Sequence, residues 1–418
     1  MLLSYKTTFK INKAYTNIIG HMCYAAYKLW NVCNYERLHY KELGMEQSPN
    51  WYHQKKAHKN DRWYKQLPSQ TAQEVCKQLE QAWRSFYALK KSGGIQNPNP
   101  PRFKYSNMAI TYMQNAIVHE SGSAKVRLSL PKQLKTYMES EYQISDKFLY
   151  LENKIFKNTD MIKQIRIYPP EHGRCEVIVI YEKAEKQLQP DNGYYLSIDL
   201  GLHNLFTCYD SEKEKTFIVG RNYLSLCRYY DKEIARVQSK WYRMQAKKRV
   251  KHPKTSKHIQ RLYQKKKHAV KDYLHKMTRY LVTYCKNEKI SRVIIGDLRH
   301  IRENNDKGAV TNQKLHGLPY EQIYSMLEYK LKMEGKELIR QNEAYSSQCS
   351  PYAERVEKVY AQKENRTKRG LYQENGKIYN SDSVGAYNIL RKYYLENGIK
   401  KERSVTGLSD PEIIKVAV

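Results

Sequence analysis

Acidic residues, phenylalanine and paired cysteines are all scarce in this 418-residue chain. Its 42 Asp and Glu face 74 Lys and Arg, a formal charge of +32. Self-repulsion of that size works against a compact state unless a polyanion neutralises it. Nucleic acid is the natural candidate, because cationic side chains displace its condensed counterions. Phe is used 7 times and Tyr 38 times, so most aromatic surface carries a hydroxyl that can reach phosphate or sugar. That combination suits unpaired or A-form RNA, although drift in an AT-rich genome also enriches Tyr. The eight cysteines (23, 33, 76, 175, 208, 227, 285, 349) stand singly, with no Cys-x-x-Cys pair. A disulfide framework and a structural zinc site are both disfavoured. No apolar run has the length of a membrane span and the N-terminus lacks a signal-peptide pattern. The expectation is a cytoplasmic protein with no membrane partner.

What is present is organised around Tyr194-Tyr195-Leu196-Ser197-Ile198-Asp199-Leu200-Gly201-Leu202-His203-Asn204-Leu205. An apolar run ends in one carboxylate, a Gly turn follows, and a second run (Leu205 to Tyr209) opens at once. This predicts a strand hairpin that presents Asp199 at a strand end. An unpaired carboxylate inside a strand is costly, so Asp199 is expected to meet a cation or a donor cluster. The plainer alternative is a turn Asp bonding nearby amides.

Before this hairpin, residues 3–11 read as a strand. Ala14 to Glu42 and Ser69 to Leu89 have helical periodicity. Ala109–Met113, Ala124–Leu130, Ile165–Tyr168 and Cys175–Tyr181 read as short strands. The expectation is an N-terminal β-barrel module over residues 1–190, interrupted by a helical insertion at about 12–105 and closed by the linker Lys186–Gly193. After it, Thr216–Val219 is a third strand of the second domain, and Tyr223 to about Asn287 a long helical pair. Its middle carries Lys247, Lys248, Arg249, Lys251, Lys254, Lys257, Arg261, Lys265, Lys266 and Lys267. With Trp241, Tyr242 and Tyr263 interleaved, these cations are expected to line a nucleic-acid channel rather than form an idle solvated face. Arg292–Leu298 is a buried strand with Asp297 near its end. A polar loop (Arg299 to Asn312) leads to a helix over Pro319 to Met333, and Glu337–Glu343 is a fourth strand ending in a carboxylate. Strand–helix–strand with acids at strand ends belongs to an α/β fold. Asp382 opens a final helix whose small face, Gly385 and Ala386, permits close packing. Alone, it could be a first-turn acid serving the helix dipole.

Ser197-Ile198-Asp199-Leu200-Gly201 together with Asp382-x-x-Gly385-Ala386-x-Asn388-Ile389 resembles the first and third active-site motifs of RuvC-type, RNase H-like nucleases. The order of motifs looks like the TnpB (OrfB-type) proteins of insertion sequences, relatives of the compact type V CRISPR effectors. Leu67-Pro68-Ser69-Gln70-Thr71-Ala72-Gln73, Trp83, Phe86 and Pro100-Pro101-Arg102-Phe103-Lys104 are similar to the family's recognition region. Tyr345-Ser346-Ser347-Gln348 is similar to its Tyr-Thr-Ser-Gln stretch, and Arg369-Gly370-Leu371-Tyr372 recurs before the third motif. The resemblance spans nearly the whole chain. It implies a wedge-like β-barrel with an inserted recognition domain, then a RuvC-like nuclease domain over 191–418 with a basic helical insertion at about 223–287.

Two departures from the family pattern matter. Where the family places Cys-x-x-Cys pairs, about 346–378, only Cys349 remains, which resembles the branch without a zinc ribbon and implies no zinc. The second motif usually ends Glu-Asp-Leu, and here Gly296 holds the Glu position. Two-metal hydrolysis needs about three converging carboxylates. Glu343 is the favoured replacement. Asp297 is the other candidate, although adjacent strand residues point to opposite faces. The resemblance implies an RNA-guided DNA endonuclease of an insertion sequence, with Asp199, Glu343 and Asp382 holding two Mg²⁺ ions. Its partners would be a guide RNA from its own element and target double-stranded DNA beside a short flanking motif, in a bacterial or archaeal nucleoid. The alternatives are a nuclease-inactive RNA-guided repressor, which Gly296 favours, and a guide-free transposase.

Overall fold

A computed structural model describes every residue except 160, 300–316, 367, 369, 403, 417 and 418. The chain divides into two compact units, Met1–Ala184 and Glu185–Val418. The polar loop expected at Arg299 to Asn312 lies, beyond Arg299, outside the described residues. Among those described, no helix is long and apolar enough to cross a membrane.

The first unit opens with β1 (Leu2–Lys10), then α1 (Lys13–Leu38), α2 (Trp51–Ala57), α3 (Arg62–Lys65) and α4 (Ser69–Ser92). The Asn12 side chain accepts from the Tyr15 amide and fixes where α1 starts. Gly93, at φ +65°, ends α4 in the left-handed conformation that glycine adopts freely. Next come β2 (Ile110–Met113), β3 (Ile117–His119), β4 (Lys125–Ser129), α5 (Lys132–Tyr142), β5 (Phe148–Glu152), β6 (Met161–Ile167) and β7 (Arg174–Glu182). One sheet runs β1-β7-β6-β2 and a second runs β3-β4-β5, all antiparallel. The expected barrel does not close among the described residues. β2 leaves its ladder at Met113, where Gln114–Ala116 turns the chain into the other sheet, so β1 and β2 remain edges. Ile18, Met22, Leu29, Val75 and Leu79 from α1 and α4 share one core with Ile110, Ile165 and Val177 from the strands.

In the second unit β8 (Tyr195–Leu200), β9 (Phe206–Asp210) and β10 (Lys215–Val219) form a meander, followed by α6 (Tyr223–Lys247) and α7 (Lys257–Asn287). β11 (Arg292–Asp297), α8 (Tyr320–Lys332) and β12 (Glu337–Asn342) follow. The hairpin β13 (Leu371–Glu374) and β14 (Lys377–Asn380), α9 (Ser381–Glu396) and β15 (Glu412–Ile414) complete the chain. The sheet order is β12-β11-β8-β9-β10-β15, with β8, β11 and β12 mutually parallel. Alternation along β8 divides its two faces. Leu196, Ile198 and Leu200 join the core beneath α6, α7 and α8, while Tyr195 joins the core beneath α9. Ser197 and Asp199 therefore face α9.

A polar network ties α1 to its neighbours. Gln54 donates to Glu36 (2.8 Å), Arg37 donates to Gln54 (3.0 Å) and to Glu80 (2.8 Å), and His58 meets Glu36 (3.2 Å) and Asp61 (2.5 Å). The bond to Glu36, working against burial and aided by Asp61, lifts His58 from 6.5 to about 9. The raised value means that stability is fully present below pH 6.5 and lost as pH rises through 9. Replacing His58 by Gln should flatten thermal stability across that window, removing a contribution of up to about 3 kcal/mol. Melting curves that keep the parent's slope would show the imidazolium is not stabilising.

Candidate active site

The parallel strands β8, β11 and β12 all end on the same edge of the sheet, the edge at which open α/β sheets gather their sites. Arg292 is level with Tyr195, and Ile295 with Ile198, which brings Gly296 to the level of Asp199. Gly296 in turn pairs with Gln341, and Glu343 follows directly after β12.

α9 packs over this edge with small residues inward. Ser197 donates to the Ala386 carbonyl at 2.7 Å, pinning helix to strand. A Cβ on Gly385 would lie 2.9 Å from Asp199 Oδ2. Only glycine allows the helix to come this near the carboxylate. Asp382 sits in the first turn of α9, where the Asn380 side chain accepts from the Asp382 and Ser383 amides. Asn204, at the far end of the β8–β9 turn, donates to Asp382 Oδ2 at 2.9 Å.

Asp199 senses the other two carboxylates. Asp199 is half-buried by surface, yet its carboxyl lies deep enough among protein atoms for desolvation to push its proton affinity well above the usual carboxylate range. The negative charges of Glu343 and then Asp382 push it further, and Arg366, exposed on its loop, opposes them. Glu343 occupies the space that a side chain at 296 would need. A Cβ on Gly296 would overlap Glu343 Oε2, and would also lie 3.1 Å from Ile389 Cδ1. Asp297, one residue on, faces the other way. It is bound by Arg299 at 2.6 Å, and although burial raises its carboxyl, the hydrogen bonds from Arg299 hold it below the ordinary value.

The loop that carries Glu343 is held from α9. The Ser346 amide donates to the Glu343 carbonyl (3.0 Å), and Tyr345 has φ +64°, an uncommon conformation for a side-chain-bearing residue. Asn388 is fully buried and donates to the Ser346 and Cys349 carbonyls at 2.7 and 2.9 Å. Lys392 donates to the Ala344 carbonyl at 2.8 Å. The sequence assigns no role to Asn204, Asn388 or Lys392. Their signal was adjacency to the acidic motifs, which does not distinguish a clamp from a bystander. Among the described residues, no three His, Cys, Asp or Glu side chains are drawn together closely enough to hold a metal ion.

Nine of the ten cations expected on the helical pair are exposed. Lys266 is half-buried and bonds Asp231 at 2.5 Å. Beyond Ile234, α6 buries nothing, and α7 buries only Ile259 before Tyr273. The free end is closed by Trp241 donating to the Lys254 carbonyl (3.0 Å) and Gln238 donating to Tyr263 (3.1 Å). Arg236, Lys240 and Arg243, missed in the sequence, join Lys247 in a stripe that lines a groove of about 470 Å³. The i, i+4, i+7, i+11 spacing puts all four on one helix face over about 16 Å.

A family model described as a probable transposase, OrfB_IS605, matches residues 178–302, and one described as the Cas12f1-like TNB domain matches 320–389. No curated protein sequence matches significantly. Among solved structures the chain is similar to a Cas12f1–sgRNA–target DNA complex at 13% identity and TM-score 0.57, covering 90% of this chain and 83% of that one. It is also similar to a CRISPR-Cas12f ternary complex at 15% identity and TM-score 0.39, covering 90% and 82%. For a mini-RNA-guided endonuclease, CRISPR-Cas_phi3, the values are 12%, 0.37, 68% and 58%. The first of these establishes the likeness of fold.

Gly385→Ala should destabilise the chain by up to about 2 kcal/mol, because an overpacking cost of about 1–3 is set against a helix-propensity gain of about 1. Gly20→Ala, whose added Cβ meets nothing within 4 Å, should be neutral or stabilising. Urea unfolding midpoints compare the two, and equal behaviour would deny the close approach of α9 to Asp199.

Proposed function

We propose that this chain, with its matches to the OrfB family of insertion sequences and to the Cas12f1-like domain, is an RNA-guided DNA endonuclease. The observation that supports the reading is that Glu343 and Asp382 lie near enough to Asp199 for their charges to act on it at one edge of the sheet, with Glu343 filling the space above Gly296. Three carboxylates are donor chemistry that suits a divalent cation, although the side chains would have to draw closer to hold one. The charges of Glu343 and Asp382 add to burial in raising the proton affinity of Asp199. In this reading Asp199, Glu343 and Asp382 hold Mg²⁺, whose bound form supplies Lewis acidity and an activated water for phosphodiester hydrolysis. Asn204 orients the Asp382 carboxylate. Asn388 and Lys392 fix the loop from which Glu343 reaches the edge. Asp297, neutralised by Arg299 on the opposite face, takes no part. The cationic helical pair would hold nucleic acid by charge, while guide pairing supplies sequence choice. The segment around Cys349 would do without zinc: Cys349 donates to the Glu357 carbonyl at 3.2 Å, and Asn388 and Arg391 bind the neighbouring carbonyls.

The deciding assay uses protein co-expressed with its native flanking transcript, Mg²⁺, and a plasmid library with a guide-matched target beside randomised flanks. Asp199→Ala and Glu343→Gln should each abolish cutting, by at least about a hundredfold, and leave RNA retention unchanged. Asp297→Asn should cut as the parent does. Loss in Asp297→Asn with activity in Glu343→Gln would reverse the assignment of the third carboxylate. Guide-dependent capture with no cutting by the parent would favour the nuclease-inactive repressor, in which Gly296 marks a lost site.

Reversing Lys247, Lys248 and Lys251 to Glu should weaken nucleic-acid binding and lower the slope of log K against log salt by roughly one per phosphate contact removed. Filter binding across a salt series measures it, and an unchanged slope would count against a role for the helical pair.

A further inference from the structure

In the first unit, a cleft of about 740 Å³ opens beside α1, lined by none of the candidate active-site residues. Its size falls in the usual range for small-ligand sites, about 300–1,000 Å³. The working residues are His21, Tyr24, Gln66, Gln133 and Tyr137. None of the residues lining it is an acid, a lysine or an arginine, so its surface chemistry is amide, imidazole and phenol.

The polar groups form an oriented chain. His21 Nε2 meets Gln66 Oε1 at 2.8 Å, and the Gln66 amide nitrogen donates in turn to Gln133 Oε1. With its oxygen occupied, Gln133 presents its amide nitrogen, and Gln133 itself is exposed. Tyr24 is 37% exposed and Tyr137 42%, high for aromatic rings beside a cleft. Around Tyr24 the rings continue outward. His21 lies parallel to it, and Tyr27 and Trp63 meet it edge-on at 5.0 and 5.5 Å. Cations cover this cluster: Lys28 Nζ stands 5.4 Å from the Tyr24 ring and 5.1 Å from Tyr27, and Arg62 stands 5.0 Å from Trp63.

Neutral amides and part-exposed rings in the cleft lining, with Lys28 and Arg62 on the aromatic cluster beside it, match the three parts of a nucleotide. Amides read a base edge, rings stack on its face, and cations meet its phosphate. An acidic peptide would call for cations inside the cleft, and an apolar ligand would strand the amides. A base still paired in a duplex offers only an edge and cannot enter. We infer that this cleft captures a single unpaired nucleobase of RNA, stacked on Tyr24 and read by the Gln133 amide. The assignment rests on the reading that the chain holds a guide RNA, and it adds a place where one splayed nucleotide of that RNA is gripped.

The test is fluorescence anisotropy on the full chain with twelve-nucleotide oligo(A) and oligo(U) RNA, the corresponding DNA strands and a twelve-base-pair RNA duplex. Tyr24→Ala should weaken single-stranded RNA roughly ten- to hundredfold and the duplex less than about twofold. Tyr24→Phe, which keeps the stacking face, should restore parental affinity. Gln133→Ala, a change at an exposed side chain, should narrow the preference between oligo(A) and oligo(U). Unchanged affinity in Tyr24→Ala, or equal loss on strand and duplex, overturns the pocket while leaving the guide-RNA reading intact. Single-stranded DNA bound through Tyr24 as tightly as RNA overturns the assignment to RNA. A parent chain that binds no RNA overturns both the pocket and the reading on which it rests.

Discussion

A carboxylate brought into a protein edge beside two others is the constraint on which the second unit depends. Asp199 sits where desolvation and the charges of Glu343 and Asp382 all oppose its ionisation. Such an arrangement costs free energy, so it persists only if the surrounding structure over-determines it. The means are visible in how α9 is docked. Ser197 binds the Ala386 carbonyl, Gly385 removes the Cβ that would strike Asp199, and the Asn380 cap fixes the turn from which Asp382 projects. Each of these is a backbone-level or single-atom fit, and none depends on a long flexible side chain.

Strand periodicity explains why the third acid comes from β12. With period two, only residue 296 of β11 faces α9 at the level of Asp199, while Asp297 faces α8 and is satisfied there by Arg299. A carboxylate can reach the vacant position only from above, and the chain leaving the neighbouring parallel strand passes there. Glycine at 296 and glutamate at 343 are therefore mutually dependent, since any side chain at 296 would occupy the space now taken by the Glu343 carboxylate. Because Glu343 lies beyond the last ladder pair of β12, the loop needs other anchors. The Asn388 amide and the Lys392 ammonium provide them. α9 thus governs all three acids: it excludes bulk from one, carries the second and restrains the loop of the third.

The elements with strong periodicity were legible in the sequence. α1, α4, α6, α7, α8 and the strands bearing Asp199 and Asp297 lie within a few residues of where apolar spacing put them. Short pieces without periodicity were not. α2 lies inside a stretch that reads as polar, α5 and β5 sit among short strands, and β13–β14 has too few apolar residues to register. The barrel expectation failed for a related reason: alternation tells which residues face a core, and says nothing about whether the first and last strands meet. Within the site, Asp199 and Asp382 were legible because their spacing to glycine is part of a motif. Asn204 was not, and Asn388 was legible as a motif position but not in its work, because both act on a turn and on loop carbonyls that only the fold brings within reach.

The distribution of charge separates grip from chemistry. At the sheet edge the charges of Glu343 and Asp382 act on Asp199, and Arg366 opposes them. Along the helical pair the reverse holds. Lysines and arginines crowd a hairpin that buries almost nothing beyond its base, and Asp231 neutralises only Lys266 among the ten. A helix polar on every side has no packing reason to persist so far from a core. The mutual repulsion of these cations is what a polyanion lying along the hairpin would relieve. The carboxylate edge follows the same logic with the sign inverted. Both regions are electrostatically incomplete alone, and a phosphodiester backbone accompanied by divalent cations carries the two charges that would complete them.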